Sequence, residues 1–232
     1  MILFVKLFLA HLIADFLLQP NRWVIHKEAN KVASKYLYFH VLLHFVITML
    51  LLWDLAAWQM VLIITISHYI IDLVKLYANP FFKLKSVPFF IDQLLHILIL
   101  YCCTFYGNLQ EQTISIFQQM DWPFVTAIVF VSFPAAIIMG KLLEGMSSQI
   151  EFDHKSLPNA GKYIGIIERL FVLVFIILGR WEAIGLLITA KSVFRFNDLK
   201  ESNSRKLTEY ILIGTLMSFG LAIITGIIYK SI

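Results

Sequence analysis

Five histidines and three aspartates lie inside four apolar stretches, in pairs four residues apart. The pairs are His11 and Asp15 in HLIAD, His40 and His44 in HVLLH, His68 and Asp72 in HYIID, and Asp92 and His96 in DQLLH. Residues at i and i+4 share one face of a helix, one turn apart. An ionisable side chain within a membrane helix is costly and by default marks function. Imidazole and carboxylate donors together suit Zn, Fe(II), Mn or Co. Helical bundles that hold two metals build their sites from such residues projecting inward. Eight donors suffice for two metals with bridging carboxylates. Two ions about 3.5–4 Å apart can activate a water and clamp a phosphoryl oxygen. The expected cofactor is therefore a divalent metal, zinc first, with iron or manganese as alternatives. Some of the eight residues are expected to orient ligands rather than bind. Asp15 and Asp92 are candidate general bases, and Gln19 and Gln93, beside the pairs, are candidate substrate contacts.

Three other readings compete. The eight residues could form a purely structural polar network. Opposed histidines could ligate haem, but three aspartates would then go unexplained. A proton or metal conduction path would need polar groups continuing outward, and there Met1–Leu9 offers only Lys6 and Phe45–Leu52 only Thr48. His26 and His154 belong to no pair and are set aside.

The elements that must position these residues follow from composition. The chain has 232 residues, of which 59% are hydrophobic and 15% charged. A soluble chain of this length needs more polar surface, so the bilayer is the expected solvent. A spanning helix needs about 20 mostly apolar residues. The candidate segments are 1–18, 37–53, 57–78, 88–106, 122–140, 162–179, 183–196 and 207–229. The expected fold is thus an all-α, polytopic transmembrane helix bundle of about seven or eight membrane segments. The seventh segment is short enough to be re-entrant. The first lacks a basic leader and a small-residue cleavage site, so it is expected to be retained. Residues 21–36 read as an interfacial helix. Cys102 and Cys103, adjacent in an apolar run, read as buried thiols. The net charge of +4 orients loops rather than pointing to nucleic acid.

Loop charges set the expected orientation. Residues 20–36 carry Arg22, Lys27, Lys31 and Lys35; residues 74–86 carry Lys75, Lys83 and Lys85. Basic loops stay in the cytoplasm. The N-terminus is then outside, and all four pairs fall at one level near the cytoplasmic face. A shallow layer (Asp15, His40, Asp72, Asp92) and a deep layer (His11, His44, His68, His96) are expected, separated by about 6 Å of helix rise. Residues 1–106 form the His/Asp unit, 107–121 an extracytoplasmic linker, and 122–232 a supporting helical unit. In that second unit Lys191 and Arg195 share a helix face. They are expected either to pair with Glu168 or to hold the phosphate of an anionic headgroup.

The segments AHLIADFLLQ (10–19), HVLLH (40–44), SHYIIDLVK (67–75) and IDQLLH (91–96) resemble a bacterial membrane-protein family known as domain of unknown function number three-three-zero-seven. They are also similar to the predicted membrane-bound metal-dependent hydrolases. TAKSVFRFNDLK (189–200) and EYILIGTLMS (209–218) resemble the longer form of the same family. The resemblance implies a multi-pass protein of the bacterial inner membrane. By analogy it implies a metal-dependent hydrolase at the inner leaflet, acting on a phosphate ester, of a lipid or a lipid-linked molecule. Divalent metal transport and a non-catalytic, metal-stapled membrane scaffold are the alternatives.

Overall fold

In a computed structural model, the structure describes residues 2–84, 86–105, 120–147, 160–202 and 205–232, with backbone alone for 194–202 and 205. Most of the 107–121 linker, and His154, lie outside the described residues. Every regular element among the described residues is helical. We number the helices α1 (Ile2–Leu12), α2 (Asn21–Asn30), α3 (Lys35–Leu52), α4 (Trp58–Ala78), α5 (Ser86–Cys103), α6 (Trp122–Leu142), α7 (Glu144–Ser147), α8 (Ala160–Ile177), α9 (Trp181–Ser202) and α10 (Arg205–Ser231). The chain divides into two compact units, Met1–Val129 and Phe130–Ile232.

The first unit is polar inside and apolar outside. On α3 the buried positions are Leu37, His40, His44, Thr48 and Leu52, spaced by three or four residues. On α5 they are Pro88, Asp92, His96, Leu100 and Cys103. The opposite faces expose Leu42, Ile66, Ile70, Leu94 and Leu98, each at least half exposed. In water this pattern would be inverted. It suits hydrocarbon around the bundle, where large contiguous apolar surface has a partner. An apolar cluster of Leu7, Met60, Val61, Ile64 and Leu100 packs beside the polar stripe. Trp122 closes a second cluster against Val5 and Leu9, which places the start of α6 with this unit.

Among the described residues, five helical stretches are long and apolar enough to cross a membrane: Lys35–Leu52, Leu55–Phe81, Ser86–Cys103, Trp122–Leu142 and Lys206–Ser231. A sixth is obtained if the bent pair Ile2–Leu17 and Asn21–Ala33 is one broken span. The first expected segment, 1–18, corresponds to the helical stretch Ile2–Leu17. A π-helical turn over Ile13–Leu17 ends α1, and the chain turns by 84° into α2. α8 is apolar apart from three charged residues, Lys162, Glu168 and Arg169. α9 is a 22-residue helix, longer than the 183–196 segment, because helical backbone continues through its polar end. Cys102 is exposed while Cys103 is buried, which corrects the expectation of two buried thiols. On a helix, neighbouring residues point about 100° apart, so one faces inward and the other outward.

Local signals explain the connection between α3 and α4. Trp53 adopts a left-handed conformation (φ 51°), and its N–H closes α3 on the Met49 carbonyl. Asp54 Oδ1 then accepts the Ala56 N–H at 2.9 Å and starts the short turn into α4. In the second unit, Val172, Ile176, Ile184, Phe219 and Ala222 form the core. Gly226 lets α10 approach α8: a Cβ there would lie 2.9 Å from Ile176 Cγ2. Arg169 is buried and binds the backbone of α6. Its Nε donates to the Val131 carbonyl (2.6 Å), its Nη2 to the Ser132 carbonyl (3.1 Å) and its Nη1 to Ser218 Oγ (3.1 Å). Pro134 lies in the same turn of α6, where the proline ring distorts the helical ladder.

Candidate metal centre

Four helices bring all eight expected residues to one place. His11 comes from α1, and Asp15 from the π turn that follows it. His40 and His44 come from α3, His68 and Asp72 from α4, and Asp92 and His96 from α5. The π turn bears on Asp15, because such turns alter which face a residue presents and recur at functional sites. The five histidines are 0–3% exposed, so their ring nitrogens face one another rather than solvent.

Asp15 is the hub. Its Oδ1 lies 2.7 Å from His44 Nε2, 3.2 Å from His40 Nε2 and 3.7 Å from His68 Nε2. Its Oδ2 accepts from Gln93 Nε2 at 3.1 Å and lies 3.7 Å from His11 Nε2. His11 Nε2 in turn donates to Gln93 Oε1 at 3.2 Å. His40 Nε2 and His68 Nε2 meet at 3.0 Å, one donating and the other accepting. The rings of His44, His68 and His96 stack in a row, with centroids 3.7 Å and 4.1 Å apart.

The expected two layers do not stay separate. Deep His44 touches shallow Asp15, and deep His68 touches shallow His40. Helix rise separates the backbones, but the imidazole and carboxylate arms close the gap. The result is one cluster with three overlapping donor sets: His11, Asp15, His44 and His68; His40, His68 and Asp72; and Asp72, Asp92 and His96. Within each set the donor atoms lie within 4.8 Å of one another. A tetrahedral ion bound at about 2.0–2.2 Å needs donors about 3.3–3.5 Å apart. In the first set Asp15 Oδ1 lies 2.7 Å from His44 Nε2 and 3.7 Å from His68 Nε2, which bracket that spacing, while His11 Nε2 lies 3.7 Å from the other oxygen, Oδ2.

Three buried atoms of the cluster lack a hydrogen bond, His40 Nδ1, Asp92 Oδ1 and His96 Nε2, and the last two form a pair. These two lie 3.4 Å apart but are not aligned to bond. Buried polar atoms are almost always satisfied, so such a pair calls for an explanation, of which an ion or a water is the usual kind. A cavity of about 10 Å³ lies beside it, lined by His11, His44, Thr48, Ser67, His68 and His96. That is room for about one water.

Two lysines join the centre unannounced. Lys27 Nζ lies 2.8 Å from Asp72 Oδ2, with both side chains 6% exposed. Lys75 Nζ lies 2.8 Å from Asp92 Oδ2. Lys75 stands three residues after Asp72 and so shares its helix face, a signal the i,i+4 search passed over. Lys27 had no such signal. It sits in a basic stretch that reads as surface, and it is the one buried residue of α2. Gln93 joins as a bridge, donating to both Asp15 Oδ2 and Asp92 Oδ2 at 3.1 Å. Gln19 follows the π turn and makes no hydrogen bond to the cluster among the described residues. His26 stays outside it, bonded to Ser34 Oγ at 2.8 Å. In the second unit Lys191 is paired with Glu168. The side chain of Arg195 lies outside the described residues.

Fold and centre together define a class: an all-helical protein with helices of membrane-spanning length, apolar outer faces and a buried His/Asp cluster. The chain belongs to the family described as Protein of unknown function (DUF3307), whose model matches residues 3–124. The matched region contains all eight cluster residues, both lysines and Gln93. No curated protein and no solved structure is detectably similar to the chain.

Proposed function

We propose that the protein is a multi-pass protein of the bacterial cytoplasmic membrane, with seven or eight membrane segments. Its N-terminus lies outside, and near the cytoplasmic face it carries a centre that binds divalent metal, zinc foremost. The basic loops 20–36 and 74–86 support this orientation. The observation that carries the metal reading is the convergence of five Nε2 atoms and three carboxylates inside an apolar bundle. The His11, Asp15, His44 and His68 donor atoms, all within 4.8 Å of one another, add to it. His11, Asp15, His44 and His68 would hold the ion. Their donor types fit Zn(II) and Fe(II) alike.

The activity we propose is hydrolysis of a phosphate ester of a lipid or lipid-linked molecule. A bound ion would supply a Lewis acid and a water acidic enough to attack an ester near neutral pH. Asp92 Oδ1, free of hydrogen bonds, is the atom best placed to accept a proton, while Lys75 and Gln93 hold Oδ2 in position. Asp15 is occupied as hub and suits the role of ligand. The surrounding leucines and isoleucines exclude bulk water, which strengthens each charge interaction in the centre. Lys191 enters this reading only as a candidate headgroup contact, and its pairing with Glu168 supports a structural role instead.

A second reading has its own observation. The centre is closed: the cavity beside it holds about one water. A closed metal site would staple four helices without catalysis. The test is hydrolysis of phosphate mono- and diesters, soluble and in mixed micelles, by metal-loaded and chelated protein. Activity lost on chelation and regained with metal is expected. Tightly bound metal without activity on any ester would favour the scaffold.

A further inference from the structure

The second unit holds a cavity of about 220 Å³, against about 10 Å³ for the one beside the metal centre. It shares no residue with that centre and is independent of the metal reading. Its polar wall is Glu168 and Arg169 of α8, Lys191 of α9, and Tyr210, Thr215 and Ser218 of α10. Its apolar wall is Met139, Leu143, Ile164 and Ile211. Ile164 is itself 44% exposed, so this wall runs out into the apolar outer face.

The charges of the polar wall do not cancel. Lys191 is paired with Glu168, and the pair sums to zero whichever partner holds the proton. Arg169 is 3% exposed, and a guanidinium keeps its charge in proteins. Its partners are the Val131 and Ser132 carbonyls and Ser218 Oγ, all of them neutral. Among the described residues no carboxylate lies within ion-pair distance of it. One positive charge is left over, and an uncompensated charge among apolar helices is strongly disfavoured. Donors are left over as well. Each Nη carries two N–H groups, and each has one partner, so one N–H on either side of the fork remains for a further acceptor. Gly165 lines the cavity beside this fork. A Cβ there would lie 3.1 Å from Nη1, so glycine keeps the approach to the guanidinium open.

We propose that this cavity binds a singly charged phosphate group on Arg169. A phosphodiester carries that one charge, and two of its oxygens match the fork of a guanidinium. Its charge cancels the one that Arg169 leaves over. The apolar wall at Ile164 and Ile211 suits the start of an acyl chain, which favours the headgroup of an anionic phospholipid over inorganic phosphate. A zwitterionic headgroup brings its own cation and leaves the charge of Arg169 uncancelled. Lys191 takes no part, because Glu168 holds it.

The test is selective binding. Full-length protein in detergent is stripped of lipid and titrated with phosphatidylglycerol, with phosphatidylcholine of the same chains, and with inorganic phosphate, while native mass spectrometry counts the molecules bound. One phosphatidylglycerol per chain is expected, bound about tenfold or more tighter than phosphatidylcholine, the worth of one charge-assisted hydrogen bond. Arg169→Gln removes the charge and should lose that preference. Inorganic phosphate should not displace the lipid; if it does, and binds in its place, the site is one for free phosphate and the lipid assignment falls. Equal binding of the two lipids, binding of neither lipid nor phosphate, or an unchanged preference in folded Arg169→Gln would overturn the proposal. If Arg169→Gln does not fold, Gly165→Leu serves, since leucine suits a helix and its Cβ crowds Nη1 at the cavity wall. That variant should bind phosphatidylglycerol about tenfold more weakly, and wild-type binding by it would count against the site.

Discussion

Replacing Asp15 by asparagine keeps its shape and removes its charge. Asp15 Oδ1 lies within 3.7 Å of three imidazole nitrogens and its Oδ2 within 3.7 Å of a fourth. In the proposed centre it is the single anionic ligand among four. Structural zinc sites of four ligands bind with about 10–16 kcal/mol, or roughly 2.5–4 kcal/mol per ligand if shared evenly. The loss should therefore weaken zinc binding by about a hundred- to a thousandfold, since each 1.4 kcal/mol is tenfold. The fold should survive, because an amide oxygen can still accept from His44 Nε2 and Gln93 can still reach the side chain. The assay is competition with a chelating dye in detergent, for wild type, Asp15→Asn and Gln19→Ala. Gln19 lies outside the cluster, so its variant should match the wild type. An Asp15→Asn variant with wild-type affinity would refute the assignment of Asp15 as a ligand.

Other outcomes follow from the packing. Arg169→Leu removes charged hydrogen bonds to two carbonyls and Ser218 Oγ; at roughly 1.5–3 kcal/mol per such bond it should lower the thermal midpoint in detergent by several degrees without changing metal content. Gly226→Val should destabilise by about 1–3 kcal/mol through overpacking against Ile176, while Gly220→Ala, with nothing within 4 Å of its added Cβ, should be near neutral in the same melt. A lipid-soluble maleimide should label Cys102 and spare Cys103, as mass spectrometry of the modified peptide would report. Proteoliposomes should show no zinc flux that depends on His96, because among the described residues of the first unit the buried polar groups outward of the cluster are one lysine and three threonines, Lys6, Thr48, Thr65 and Thr126.

Much of the centre was legible in the sequence, for a physical reason. An ionisable residue in an apolar helix has few tolerable destinations, so spacing and chemistry alone pointed His11, His44, His68 and their partners inward. What spacing could not reveal was the reach of side chains. The two layers merged because imidazoles span the helix rise between them, and the π turn at Asp15 departs from the α-helical geometry that i,i+4 spacing assumes. Lys27 escaped because a lysine in a basic stretch reads as surface, and only the 84° turn after α1 carries it over Asp72. Segment lengths were blurred for a related reason. Hydropathy registers apolar runs, but it does not register that one helix changes to a π turn over its last five residues or that a polar end such as 197–202 stays helical. Glu168 and Lys191 were expected to pair and do. The role of Arg169 as a clamp on α6 carbonyls depends on a contact 38 residues away, which no local pattern encodes.

The central claim is that this helical bundle is built around a metal. Elemental analysis of purified protein, beside a His44→Ala variant prepared in parallel, tests it most directly. His44 Nε2 lies 2.7 Å from the hub oxygen of Asp15 and its ring stacks on His68, so its loss removes one of the four proposed ligands. The account predicts stoichiometric zinc, iron or manganese in the wild type and little or none in the variant. A wild-type protein without bound metal, folded and equally stable in the presence of chelator, would contradict it and leave the cluster as a hydrogen-bonded polar core.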